Sequence, residues 1–200
     1  MKPALFLLAV SALCLASCAE PYSPTQFLAQ GDEIVVTGAI DHTTLGAFRA
    51  VAADNPQIKT LVLQNIEGSV DDDANVIFSR EVRNRGFDTV VPSDGMVASG
   101  GTDLFLAGNR RTLQPGACVG VHSWGGGGII ATELPEDDPE HDRYLDYYDD
   151  IGVSEDFYWY TLEVASEDEM HWMTAAEANS YDMATTRATR LGSASTCDAR

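Results

Sequence analysis

Ser99 stands between Ala98 and the pair Gly100-Gly101. A serine hydroxyl is a poor nucleophile until a base takes its proton, and small neighbours leave room for a carbonyl to approach it. Leu104 to Gly108 reads as the body of a helix, which places Ser99 at a helix start. Free N–H groups and the positive end of the helix would favour an oxyanion there. The same position also suits a plain N-cap serine. A second chemistry is offered by His42, His122, His141, His171 and Cys118. Cys118 and His122 lie four apart in a run that reads as a strand, so about 13 Å separates their Cα atoms. Ligands of one zinc lie about 2.0–2.3 Å from it, so this pair cannot share a metal, and no metal site is expected. The carboxylates of Asp71, Asp72 and Asp73 read as favourable charges at a helix start rather than as ligands. The loop from Gly125 to Gly128 lacks the Gly-Lys-Ser/Thr ending of a phosphate cradle and opens no obvious helix. It reads as a mobile loop beside a site.

The elements that must hold these groups alternate. Glu33 to Gly38 is a β-branched run ended by glycine, a buried strand. Leu45, Phe48, Val51 and Ala52 recur at helical spacing over 42–54, after Asp41 as a candidate N-cap and before the stop at Asn55-Pro56. Further strands are expected at Thr60–Gln64, Thr89–Val91 and Cys118–His122, with a helix running from the three acids to Gly86 and a short one at Thr174–Asn179. Strands and helices in this order give βαβ units, a mainly parallel sheet and an α/β fold.

Three segments then resemble the Clp protease-like branch of the ClpP/crotonase superfamily. The first is Ile34 to Asp41 with its following helix. The second is Leu61 to Ser69, where that family usually shows Asn-Ser-Pro-Gly-Gly. The third runs from Gly95 through Ser99-Gly100-Gly101 and Ala107-Gly108 to Pro115–Ser123. The resemblance, over roughly residues 33–185, implies a ClpP/crotonase-like fold with a mainly parallel sheet flanked by helices. It implies Ser99 as nucleophile, His122 as general base, and the N–H groups of Gly68 and Gly100 as an oxyanion hole. It also implies a peptide or ester substrate, rings or trimers, and neither cofactor nor metal. Two positions depart from the pattern. Glu67 replaces the first glycine of the Gly-Gly pair, and a carboxylate pointing inward there would repel the developing charge. Matching Trp172–Ala178 to the family puts the triad acid on Met170, so Asp168, ahead of its neighbour Glu169, is expected to take that role after a small loop shift. A catalytically inactive scaffold that binds a peptide or an envelope partner is the rival reading. A lysine base is not expected, because the chain has only Lys2 and Lys59.

The termini and the charge complete the reading. Residues 1–17 resemble a secretory signal: Lys2 precedes an apolar run too short to span a bilayer as a helix. Leu15-Ala16-Ser17-Cys18 resembles the bacterial lipobox, which implies acylation of Cys18 and a periplasmic, lipid-anchored protein, with Ala19 favouring the outer membrane. Residues 18–32 are expected to be a tether, 33–187 the domain and 188–200 a loose tail. In an oxidising compartment Cys118 and Cys197 either form a disulfide or stay apart, one buried and one loose. Among the 200 residues, 31 acids against 12 Lys and Arg give a net charge of −19, which excludes nucleic-acid binding through phosphate contacts. From Glu133 to Asp156 there are eleven acids and one Arg, Arg143, interleaved with aromatics. That pattern predicts helices with a solvated acidic side and a packed aromatic side.

Overall fold

The computed structural model describes residues 22–200. The signal segment and the expected lipidation site Cys18 lie outside them. In chain order the elements are β1 (Gln26–Gln30), β2 (Glu33–Thr37), α1 (Thr44–Asp54), β3 (Thr60–Ile66), α2 (Asp72–Asn84), β4 (Asp88–Val91) and β5 (Met96–Ala98). Then come α3 (Gly100–Leu106), β6 (Arg111–Leu113), β7 (Cys118–Val121), a hairpin of β8 (Gly125–Gly126) and β9 (Ile129–Ile130), α4 (Asp142–Ile151) and α5 (Glu155–Val164). Strand β10 (His171–Trp172) and helices α6 (Ala175–Ser180) and α7 (Ala194–Cys197) close the chain.

Strand β3 organises the sheet by forking. Its first residues, Thr60 to Val62, pair in parallel with β4, whereas Asn65 and Ile66 pair with β5. β2 runs parallel along its other side, and β7 continues the sheet beyond β5. The expected α/β architecture with a mainly parallel sheet is what forms. Phe48, Phe78 and Phe87 fill the space between α1, α2 and the sheet, with the Phe48 centroid 5.2 Å from each of the other two. In α4, Tyr144, Tyr147, Tyr148 and Ile151 are buried while Asp146, Asp149 and Asp150 are exposed. The acidic run is thus amphipathic at helical spacing, as expected, and its aromatic side packs on its own chain.

Three expectations need correction. The tether assigned to 18–32 contains β1, which pairs antiparallel with β2 from Gln26↔Thr37 to Gln30↔Glu33. Gly31, at φ +62°, supplies the positive φ that a two-residue hairpin loop requires. The glycine loop is likewise a tight hairpin. Gly127 and Gly128, at φ +61° and +86°, turn β8 into β9, and a turn with two positive φ values suits the twist of the strands it joins. The tail assigned to 188–200 is docked, not loose. Cys118 and Cys197 are disulfide-bonded, with Cα atoms 5.6 Å apart. The amide of Gly192 donates to the Ala117 carbonyl, and the Arg200 guanidinium donates to the carbonyls of Gly95 and Ser93.

The bridge spans 79 positions, and cross-linking a loop of this size removes much of the unfolded chain's freedom. Cys197→Ser should therefore lower stability by about 2–5 kcal/mol. Urea unfolding of wild type with and without reductant checks it: coincident midpoints would show that the bridge contributes nothing.

Candidate active site

Strands β5 and β7 lie side by side in parallel, with Ala98 opposite Gly120. Ser99 follows one and His122 the other, so both emerge at the same end of the sheet. The junction is held by one acceptor. The Gly120 carbonyl takes the Ser99 amide at 3.1 Å and the Thr102 hydroxyl at 2.8 Å. A side chain at Gly120 would force Met170 and Trp172 to move, because a Cβ would come within 2.6 Å of the Met170 sulfur and 2.8 Å of the Trp172 ring.

Ser99 adopts φ +51°, ψ −129°, a conformation that costs a non-glycine residue on the order of 1–3 kcal/mol and persists only where neighbours enforce it. Its hydroxyl makes no capping hydrogen bond to α3. The N-cap alternative is thereby set aside: this serine starts a helix without capping it, and it lines a pocket together with His122 and Gly100.

Both expected oxyanion-hole glycines adjoin the serine. Gly68 is at φ +148°, and a Cβ on it would sit 3.2 Å from the Ser99 Cβ and 3.6 Å from its Oγ. Gly100 is closed to substitution by Ser69 and Asn75, whose atoms would lie 2.5–2.8 Å from an added Cβ. Neither amide donates a hydrogen bond to the backbone among the described residues, and Gly100 lines the pocket whereas Gly68 lies behind Ser99. Glu67 is exposed and does not line the pocket. Its carboxylate therefore does not crowd the place where negative charge would develop.

His122 is half-buried, and its Nδ1 is buried with no hydrogen-bond partner. No hydrogen bond joins it to Ser99 among the described residues. Burial lowers the imidazole pKa below its ordinary 6.5, against the opposing pull of the Ser123 and Glu167 backbones and the Asp72 and Glu167 carboxylates. The structure does not bring Asp168 to His122. Asp168 is exposed and outside the pocket. The residue of that segment that acts on the imidazole is Glu167, half-buried against Gly125. The physical reason is the turn after α5. The Ala165 carbonyl accepts the Ser123 amide, fixing the segment beside β7, and β10 then pairs antiparallel with β7 through His171 and Trp172. Met170 is held over Gly120, and the carboxylates between these ties are placed by the turn rather than by the count along the chain.

Two carboxylates that sequence reasoning did not assign to the site line the same pocket, Asp72 and Asp103. Asp72 accepts from the Tyr144 hydroxyl at 2.7 Å and from the Ser69 hydroxyl. Asp103, on α3, accepts from the Tyr148 hydroxyl at 2.6 Å. Burial pushes its carboxyl up to about 7, and the nearby charge of Asp72 pushes the same way against the Tyr148 hydrogen bond. Burial likewise raises the Tyr144 and Tyr148 hydroxyls well above 10, and that of Tyr158 to about 12. Only Asp72 carried a sequence signal, as one of the three acids at the start of α2. Of these, Asp71 caps the helix by accepting from the Ala74 amide and Asp73 faces solvent.

Neither a protein-family model nor a curated protein sequence matches the chain. Solved structures do. A membrane-bound stomatin-specific protease, 1510-N, superposes with a TM-score of 0.51 at 16% identity, covering 83% of this chain and 81% of its own. An enoyl-CoA hydratase from Bacillus halodurans gives 0.53 at 15%, covering 89% and 77%, and a methylmalonyl CoA decarboxylase 0.52 at 11%, covering 90% and 71%. The chain shares with these structures its fold, a ClpP/crotonase-like α/β arrangement with a mainly parallel sheet flanked by helices. A ClpP/crotonase-like chain can thus be matched to a protease and to CoA enzymes alike, so the reaction has to be argued from the side chains.

The His122 ring should titrate below 6.5 when followed by NMR. Asp168→Ala should leave that titration within about 0.2 unit of wild type, because an exposed charge is screened by water. Glu167→Gln should lower it further. A larger response to Asp168→Ala than to Glu167→Gln would reverse the assignment.

Proposed function

We propose that this chain is an exported, lipid-anchored serine hydrolase that cleaves peptides. The observation that carries the reading is Ser99: a strained, uncapped serine opening into the same pocket as an imidazole, beside two unengaged backbone amides. Ser99 Oγ would bond to the scissile carbonyl carbon as its proton passes to His122. The N–H groups of Gly68 and Gly100 would receive the oxyanion. Collapse of that intermediate breaks the C–N bond, and His122 returns the proton to the leaving amine. Water then attacks the acyl-enzyme, giving one proton to His122 and restoring Ser99. The lowered pKa of His122 keeps it unprotonated, as a general base must be, into mildly acidic solution. A stomatin-specific protease of this fold has been solved in complex with a substrate peptide, at a TM-score of 0.50, which supports a peptide over other acyl substrates. The lipobox-like Leu15-Ala16-Ser17-Cys18 supports export and anchoring.

The unpartnered Nδ1 of His122 favours a second reading, a scaffold that binds a peptide without cutting it. An imidazole that no carboxylate orients loses much of the rate a complete triad provides.

A serine-directed fluorophosphonate should label wild type at Ser99. Ser99→Ala should abolish labelling, and His122→Ala should slow it by about three orders of magnitude or more. Wild type that stays unlabelled from pH 6 to 9 would give the scaffold reading the field.

The anchor has its own test. Cys18→Ser should leave an unprocessed precursor that fails to partition into detergent at mature size. Wild-type-like migration and partitioning by the variant would remove the lipid anchor from the proposal.

A further inference from the structure

Asp103 has no part in the steps just described and Asp72 enters only as a charge acting on His122, yet both line the pocket that holds Ser99. No Lys or Arg lines it. Five aromatic residues line it, Trp124, Tyr144, Tyr148, Phe157 and Tyr158, together with Thr102, Val121 and Thr161. Tyr144 is stacked between Trp124 and Tyr158, with centroids 5.5 Å from each, and Trp124 donates its indole N–H to the Tyr158 hydroxyl. The walls are therefore fixed rather than loosely packed. Arg143 of α4 stands 5.7 Å over the Tyr144 ring, but it does not line the pocket, and its charge pairs with Glu140 at 2.5 Å and Asp73 at 3.4 Å.

We propose that this pocket takes the basic side chain of the residue supplying the scissile carbonyl, so that the peptides cleaved carry lysine or arginine there. This inference rests on the hydrolase reading and names its substrate class. A carboxylate removed from water costs free energy unless a partner compensates it. Asp103 receives one hydroxyl through Oδ1, while its Oδ2 makes no hydrogen bond among the described residues. An apolar side chain entering the pocket would strip both carboxylates of water and return nothing. An acidic one would add a third negative charge. A lysine or arginine would lay its methylene stem along aromatic walls and carry its charge to the acids, as amphipathic side chains do wherever a polar end can be reached. A cation there would also stabilise the ionised form of Asp103, which burial otherwise disfavours. The chain's net charge of −19 draws cationic ligands toward it before they reach the pocket.

Two measurements decide it, one with turnover and one without. Peptide amides differing only in that residue should be cleaved with kcat/KM at least tenfold higher for lysine or arginine than for norleucine, and Asp103→Asn should narrow that ratio at least fivefold. Independently, benzamidine and its neutral isostere benzamide can be titrated into the full chain while tryptophan fluorescence is followed, with Trp124→Phe identifying the pocket's signal. Benzamidine should bind wild type at least tenfold more tightly than benzamide. Equal affinities, or no response to either, would overturn the cationic pocket even if fluorophosphonate labels Ser99. Selective benzamidine binding without any labelling would keep the pocket and remove the hydrolase. If Asp103→Asn does not fold, the comparison of the two ligands on wild type still decides, since it needs no variant at that position.

Discussion

One carbonyl, that of Gly120, ties the backbone of Ser99 to the strand that leads into His122. It accepts from the Ser99 amide and from the Thr102 hydroxyl, so β5, the first turn of α3 and β7 meet at a single oxygen. The cost of holding Ser99 at φ +51° is borne by that double acceptance and by the close packing of Met170 and Trp172 on Gly120. A side chain at position 120 would disturb this carbonyl and with it the last rung of the β5–β7 pairing, the one next to Ser99 and His122. The fork in β3 serves the same end. It gives β4 one half of its edge and frees the other half for β5, which lets the strand bearing Ser99 run beside the one bearing His122.

Around this junction the chemistry divides between backbone and side chains. In the proposed acyl transfer, the backbone N–H groups of Gly68 and Gly100 would receive the oxyanion. Side chains of α4 and α5 supply the pocket wall, and their tyrosine hydroxyls satisfy the carboxylates of α2 and α3. The acidic run from Glu133 to Asp156 is therefore two things at once. It is a solvated face on one side, and on the other a set of aromatic donors reaching back to Asp72 and Asp103.

How much of this was legible in the sequence follows from the range of each signal. β-branched runs and helical spacing announced β2, α1, β3 and β7, because these are local patterns. Resemblance singled out Ser99, His122, Gly68 and Gly100, and the fold puts Ser99, His122 and Gly100 in one pocket with Gly68 against the serine. Strand β1 went unread because Pro21, Pro24 and Gly31 give residues 18–32 the composition of a tether, when a glycine at position 31 also makes a hairpin turn. Asp103 was invisible for a different reason. A carboxylate in the first turn of a helix is ordinary, and what makes it unusual is Tyr148, 45 positions later. The same holds for Asp168. Counting from a matched motif places a residue to within the loop's slack, and here the slack was spent by the Ala165–Ser123 backbone bond and the β10–β7 pairing. Cys118 and Cys197 were legible as thiols but not as a pair, since nothing local says that the last turns of the chain come back to the start of β7.

That return has a consequence for the order in which the molecule is made. A chain that emerges from its N-terminal end has completed β5 and β7, and could already bring Ser99 and His122 together, while the partner of Cys118 is still 79 positions away. Until then β7 holds a reduced thiol at its first residue and lacks the segment that covers it, with Gly192 pressed against both sulfurs. The disulfide at the first residue of β7 thus forms only after residue 197 has been made, and a chain truncated before it would carry Ser99 and His122 without that clasp.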